Sequence, residues 1–374
     1  MANKKIPWWT PKVEKEDYVF IRQALDANFV NEGPLVAELE KKISNLVGAK
    51  YAVATTSGTV AIFLSLKALG IGHGDEVIVP DMTFIATANA VNLCGAKPML
   101  VDVNPADLTI SIDAIKKAIT PKTKAIIPVH VTGRGADMTT ILDIAKKHSL
   151  YIIEDAAEAL TSKQNGKSLG TFGDLGCFSF SANKTISTGQ GGMIVTNNEN
   201  LYLKLKPLKD QGRPVRGTGG DDLHNTIGYN FRMTDLQAGM GLGQFTHLKE
   251  RIARMKRNYE LYAKNLKDVP EIRIFPSKKE ELPQWTDILT EKRNELEEYL
   301  KNQNIDCRKY WLPIHRQLSY KLPDINFPNS TRLSPEALWL PSAFTLTDEN
   351  INTVCKKIKE FFSSKGRSAS GGKK

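Results

Sequence analysis

Cysteine is scarce in this chain of 374 residues, and the four that occur, Cys94, Cys177, Cys307 and Cys355, stand far apart. Such isolation excludes the paired spacings of a metal site or a disulfide framework and reads as reduced thiols of a cytoplasmic protein. Long apolar runs are missing too: no stretch reaches the ~20 residues that cross a bilayer. The opening MANKKIPWW lacks the apolar segment of a secretory signal, so a soluble protein with no membrane partner is expected. The GxxxxGK[ST] spacing of a nucleotide P-loop is also absent. Charge is plentiful, with a net +10, but no element concentrates basic residues together with aromatics. In RNELEEYLKNQNIDCRKY acidic residues interleave with the basic ones, as on a solvated helix face. That pattern argues against a nucleic-acid partner and leaves the positive excess to attract a small anionic substrate.

What is present is a rhythm. From about residue 50 the short apolar runs YAVAT, DEVIVP, KPMLVDV, TKAIIPVH, LYIIEDA, LGCFSF and GMIVTN alternate with segments of helical spacing. Continuous apolar strands joined by helical crossovers predict an α/β fold with a mostly parallel seven-stranded sheet, and they place a ligand site at the carboxyl ends of the strands. Beyond residue 234 the pattern changes to one long helical stretch, TDLQAGMGLGQFTHLKERIARMKRNYELYAKNLK. Short strand-like pieces follow at EIRIF and IDCRKYW, with helices at EKRNELEEYLKNQ and TDENINTVCKKIKEFF. The expected organisation is a large α/β domain over 1–234 that includes a helical amino-terminal segment, a linking helix and small α+β domain over 235–362, and a disordered Ser/Gly/Lys tail over 363–374. There is no internal repeat.

The informative residues follow the strands. Lys184, in CFSFSANKTISTGQGG, sits among Ser, Thr, Asn and Gly rather than the carboxylates that usually accompany a surface lysine. It reads either as a reactive amine or as a loop-edge charge. YIIEDAAEAL sets Asp155 just beyond an apolar strand, as a helix cap or a carboxylate at the strand end in the ligand crevice. ATTSGTVAIF offers the amides of Gly58 and Thr59 at a helix amino terminus, where phosphate binds. Phe84, in PDMTFIATANAV, is a core aromatic or a stacking face. A phosphate cradle, an aromatic face, a carboxylate and a lone lysine are together what pyridoxal phosphate requires: the lysine bonds the cofactor and moves protons, and the carboxylate keeps its ring nitrogen protonated.

Five separated motifs in order, SGTVAIFLSLKALGIGHGDEVIVPDMTFIATANAV, GAKPMLVDV, IIEDAAEAL, GTFGDLGCFSFSANKTISTGQGGMIVTN and IGYNFRMTDLQAGMGLGQ, resemble the nucleotide-sugar aminotransferases of the DegT/DnrJ/EryC1/StrS family over about residues 10–362. The resemblance implies fold type I of the pyridoxal phosphate aminotransferases, with Lys184 as the cofactor-bonding lysine and Asp155 as the partner of the ring nitrogen. It puts Glu158 where the family usually has Gln or His near the phenolic oxygen, and Phe84 as the stacking aromatic. Gly58, Thr59 and Ser179 correspond to phosphate contacts, and Asn230 to a phosphate ligand donated by the neighbouring subunit, which implies a homodimer with shared sites. Arg308 and His315 fall on the loop that family members place near the nucleotide sugar. The variants EDAAEA and ANKT are most similar to the branch that aminates GDP-4-keto-6-deoxy-mannose with glutamate. A UDP- or dTDP-linked sugar, or another sugar carbon, is the alternative. Two departures from the family pattern, TGQGG for TGEGG at Gln190 and HVTGRGADM for H-x-Y-G near residue 132, bear on the substrate rather than on the cofactor.

Overall fold

Each of the seven apolar runs becomes a strand in the computed structural model, which describes residues 5–214 and 223–369. In chain order these are β1 (Tyr51–Thr55), β2 (Glu76–Pro80), β3 (Lys97–Val101), β4 (Thr123–Ile126), β5 (Tyr151–Asp155), β8 (Leu175–Ser179) and β9 (Gly192–Thr196), with a small hairpin of β6 (Lys163–Gln164) and β7 (Lys167–Ser168) between β5 and β8. The sheet order is β1-β9-β8-β5-β4-β2-β3. Neighbours from β8 to β3 run parallel, whereas β9 is antiparallel to both β1 and β8.

The strands are mostly apolar because helices cover both sheet faces; the edge strand β3, only partly buried, is the exception. Val53, Val77, Val79, Ile153, Cys177 and Ile194 point into one core with helices α3 (Gly58–Ala68), α4 (Ala86–Leu93) and α7 (Glu199–Lys209). Their sequence neighbours Ala54, Phe178, Met193 and Val195 point the other way, into a core with α2 (Pro34–Val47) and α8 (Asp235–Thr246). Ile78, Ile126 and Ile152 likewise pack under α5 (Ile112–Ala118) and α6 (Met138–His148). This is the period-2 alternation of a strand buried on both sides. A carboxylate ties the second core together: Asp235 accepts hydrogen bonds from the amides of Gly33 (2.7 Å), Leu35 (3.1 Å) and Val36 (3.0 Å), capping the start of α2 from about 200 residues away in sequence.

The long helical stretch is two helices, not one. α8 ends at Thr246 and α9 (Leu248–Asn265) begins two residues later, with His247 between them at φ −98°, ψ 5°. The His247 side chain turns aside to meet Glu16 of α1 (Lys15–Asp26) at 2.9 Å. Helix α8 shares a core with the large sheet, and α9 shares one with the small domain. The latter is a four-stranded antiparallel sheet, order β10-β11-β13-β12, made of β10 (Arg273–Ile274), β11 (Asp287–Leu289), β12 (Arg308–Lys309) and β13 (Ala337–Trp339). Helix α10 (Arg293–Asn302) and α12 (Asp348–Ala369) cover it, and the short α11 (Pro328–Leu333) precedes β13.

The amino-terminal residues join the small domain rather than the large sheet. Ile6 pairs in parallel with Ile305, and Trp8 and Trp9 pack among Trp285, Trp311 and Trp339. The carboxyl-terminal segment, expected to be unstructured from residue 363, is helical to Ala369, because α12 carries on from the buried Ile358, Phe361 and Phe362; 370–374 lie outside the described residues. Among the described residues no helix is long and apolar enough to cross a membrane.

Candidate active site

The carboxyl ends of β5 and β8 open into a cavity between the two sheets. It is lined by Gly58, Thr59, Phe84, Asp155, Glu158, Ser179, Lys184 and Arg308, eight of the ten residues singled out in the sequence. The parallel pairing of β5 with β8 brings Asp155 opposite Cys177, two residues before Ser179, so the Asp155 carboxylate and the Ser179 hydroxyl leave the sheet close together.

The anion cradle is local. Ser57 caps α3, its hydroxyl accepting from the Val60 amide at 3.2 Å, while the first amides of a helix have no partner of their own. Those of Gly58 and Thr59 therefore face the cavity with the dipole of an 11-residue helix behind them. A Cβ on Gly58 would lie 2.9 Å from Cβ of Ser179, so only glycine lets the Ser179 side chain reach the cradle. Phe84 lies at the start of α4, 52% exposed although it is a large apolar residue, and that exposure is towards the cavity it lines.

The two carboxylates are buried and hydrogen-bonded. Asp155 accepts from the Thr87 hydroxyl at 2.8 Å and from the Ala157 amide at 3.1 Å. Burial pushes its carboxyl above the usual range, and the Thr87 hydrogen bond, the Ala157 amide and the Lys184 charge oppose that shift. Glu158 receives the Thr132 amide at 2.8 Å on one oxygen and Nζ of Lys184 at 3.2 Å on the other. Its carboxyl is also raised, by burial first and further by the charge of Asp155, while Lys184 and the Thr132 amide pull it down. The Lys184 ammonium also lies 4.9 Å from the ring centroid of Trp285, a cation–π contact. The lysine is therefore not a loop-edge charge but a partly buried amine held between a carboxylate and an indole.

The turn that carries it is clamped. Gln284 accepts from the Thr185 hydroxyl at 2.7 Å and donates to the Asn183 carbonyl at 3.1 Å. Arg251 donates to the Thr185 carbonyl at 3.2 Å, and Nε1 of Trp9 to the Ala182 carbonyl at 3.0 Å. The departures near residue 132 have structural counterparts. Thr132 takes a left-handed φ of 51° that aims its amide at Glu158. Arg134 forms a doubly hydrogen-bonded buried pair with Asp287 of β11, both contacts 2.7 Å, which ties the turn after β4 to the small sheet.

Two sequence-selected residues lie elsewhere. His315, expected near the sugar, is fully buried outside the cavity. Its Nδ1 meets Asp81 at 2.6 Å, its Nε2 meets Asp324 at 2.9 Å, and its ring stacks on Phe327, so both nitrogens are already engaged within the fold. Asn230 is exposed, bridged through its backbone to Asp210, and does not line its own chain's cavity. Sequence reading missed the wall opposite the cradle, formed by Trp285, Trp311 and Trp339. The one available signal was the set of five tryptophans, all of which gather here, but nearly three hundred residues separate Trp8 from Trp285 and no local motif links them.

A helix terminus with free amides, an aromatic face, a buried carboxylate and a partly buried lysine in one cavity fit a phosphorylated aromatic cofactor with a carbonyl and a basic ring nitrogen. Comparison with known proteins leads to the same chemistry. The chain is 38% identical to the GDP-perosamine synthase of Escherichia coli O157:H7 over 97% of this chain and all of that one. It is 36% identical to the UDP-N-acetyl-3-dehydro-α-D-glucosamine 3-aminotransferase of Acidithiobacillus ferrooxidans over 89% and 90% of the two chains. The PLP-form structure of the putative sugar aminotransferase Spr1654 from Streptococcus pneumoniae superposes with a TM-score of 0.91 at 26% identity, covering 95% of this chain and 98% of that one. Residues 11–359 match a single family description, and the chain belongs to the DegT/DnrJ/EryC1/StrS aminotransferase family.

Proposed function

We propose that the protein is a pyridoxal-phosphate-dependent aminotransferase that moves the amino group of glutamate to a nucleotide-linked 4-keto-6-deoxy sugar, first of all GDP-4-keto-6-deoxy-mannose, to give GDP-perosamine. The observation that carries this reading is the convergence of Lys184, Asp155, Glu158 and the Gly58–Thr59 cradle on one cavity. The near full-length similarity to a GDP-perosamine synthase supports the substrate. In the net reaction the sugar ketone becomes a primary amine and glutamate becomes 2-oxoglutarate, so no outside oxidant or reductant is needed.

The cofactor, when bound, supplies a carbonyl that carries the amino group and a ring that accepts the electron pair left on the substrate carbon. The chain supplies the rest. Gly58, Thr59 and Ser179 hold the phosphate, Phe84 gives the ring a face, and Asp155 holds a proton on the ring nitrogen, an interaction that restores the ionised form which burial disfavours. Nζ of Lys184 moves the proton to and from the substrate carbon. Glu158, 3.2 Å away, holds that ammonium and takes up part of its charge change. Arg308 grips the diphosphate. Among the described residues it forms no ion pair, whereas its neighbour Lys309 is paired with Glu297 at 3.1 Å, so Arg308 is not a surface ion-pair residue. Asn230, exposed and outside its own cavity, completes the phosphate site of a second subunit in a homodimer.

A second reading, amination of a UDP-linked sugar at carbon 3, is favoured by the similarity to the Acidithiobacillus protein. Glutamate with a panel of GDP-, UDP- and dTDP-linked keto sugars separates the two. The GDP-linked 4-keto sugar is expected to react fastest, and turnover confined to free amino acids and keto acids contradicts both.

A further inference from the structure

Arg308 lies over two indole rings, 5.0 Å from the centroid of Trp8 and 5.6 Å from that of Trp339. Trp339 is its cross-strand neighbour in the small sheet. Trp8 comes from the other end of the chain. Its segment is hydrogen-bonded along the backbone that leads into β12: the Ile6 amide to the Asn304 carbonyl and the Asp306 amide to the Ile6 carbonyl, both at 2.9 Å. The Ser342 amide donates to the Trp8 carbonyl at 3.0 Å, closing the other side. Parallel pairing of Ile6 with Ile305 sets Trp8, two residues on, beside the approach to Arg308. The next residue, Trp9, hydrogen-bonds the carbonyl of Ala182, two residues before Lys184.

An arginine that makes no ion pair among the described residues, set over two aromatic rings at a cavity wall, is restrained in position yet keeps its N–H edges for a ligand. A planar guanidinium with free edges suits a diphosphate. We infer that the amino-terminal strap Ile6–Trp9 is a substrate-positioning element: Trp8 is the shelf that fixes the Arg308 guanidinium for the diphosphate of the nucleotide, and Trp9 ties the same strap to the turn that carries Lys184. Trp8 is a positioning residue, since it acts through Arg308. The inference rests on the nucleotide-sugar reading for the identity of its ligand.

The test is calorimetric titration of GDP, with UDP in parallel, into the cofactor-loaded protein and its variants. Trp8→Leu, which removes the ring, is expected to weaken GDP binding about threefold to fivefold, the upper range of a cation–π contact on an exposed side chain. Trp8→Phe restores a face and recovers most of the loss. In an Arg308→Ala background, Trp8→Leu adds less than about twofold, because the interaction it serves is already gone. If the two losses multiply in the double variant, or Trp8→Phe binds as poorly as Trp8→Leu, Trp8 only packs the core and the inference is overturned. Arg308→Lys keeps the charge without a planar face, on an exposed side chain that leaves folding intact, and is expected to bind GDP several-fold more weakly; wild-type affinity overturns the inference. So does failure of the unaltered protein to bind either nucleotide. Because binding is read without turnover, coupled GDP binding in a protein that aminates no nucleotide sugar overturns the proposed function alone.

Discussion

Replacing Asp155 by Asn is expected to make the cofactor-free protein more stable and the enzyme slower. The amide is isosteric and keeps both neighbours: its oxygen accepts from the Ala157 amide, and its NH2 donates to the Thr87 hydroxyl, contacts that span 3.1 and 2.8 Å in the native chain. What it loses is charge. Burial raises the Asp155 carboxyl above its ordinary range, so the folded chain holds that proton more tightly than the unfolded chain does. Stability of the native protein therefore falls as pH rises from the ordinary carboxylate range through the raised value, and the Asn variant does not share this fall. Its melting temperature without cofactor should exceed that of the native protein at pH 7–8, and the gap should shrink towards pH 4. With cofactor the sign of the effect on function is opposite. A charge-assisted hydrogen bond from the ring nitrogen is worth about 1.5–3 kcal/mol, which is roughly a 10- to 150-fold slower glutamate half-reaction. Stopped-flow absorbance of the loaded protein mixed with glutamate measures that rate. A variant that reacts within twofold of wild type, or whose melting temperature follows the native pH dependence, refutes the role given to Asp155 and leaves it a helix cap.

Arg308→Ala should raise KM for the nucleotide sugar while the glutamate half-reaction, followed alone in the stopped-flow, changes far less; equal damage to both halves contradicts a diphosphate grip. Arg134→Met strands the buried Asp287 carboxylate and should cost about 3–5 kcal/mol in guanidinium unfolding, whereas Arg134→Met with Asp287→Leu recovers most of that loss. A double variant no more stable than the single one would falsify the ion-pair account. Lys184→Ala and Asn230→Ala chains, each inactive alone, should regain roughly a quarter of wild-type activity when coexpressed, because random pairing makes half the dimers mixed and half of their sites intact. Mixed dimers that form, shown by two distinguishable tags, yet stay inactive would place Asn230 in service of its own chain.

The large sheet was legible in the sequence because its strands are buried on both faces, and uninterrupted runs such as EVIVP and GMIVT announce that burial without any partner being known. The reversed direction of β9 was not, since burial leaves the same apolar signature in either orientation. The small sheet shows the limit of pattern reading. Arg273–Ile274 and Arg308–Lys309 were anticipated at EIRIF and IDCRKYW, but Asp287–Leu289 and Ala337–Trp339, at three residues each, are too short to display a period. The break at His247 was hidden because the partner its Nε2 meets, Glu16, belongs to another helix 231 residues earlier. At the site, residues within one motif were easy to group: Gly58 with Thr59, Asp155 with Glu158. The Trp8–Trp339 shelf and the Gln284 clamp arise only when the two sheets meet, and His315 looked available because nothing local reveals Asp81 and Asp324 on its two nitrogens.

Amino transfer to the sugar can be followed atom by atom. The cofactor-loaded protein is incubated with 15N-glutamate and GDP-4-keto-6-deoxy-mannose, and the products are weighed by mass spectrometry. The expected result is a GDP-linked amino sugar carrying one 15N, formed one for one with 2-oxoglutarate, and no labelled sugar from Lys184→Ala. Unlabelled sugar from the native protein, or labelled sugar from Lys184→Ala at the native rate, would contradict the assignment of this cavity as the place where the amine is transferred.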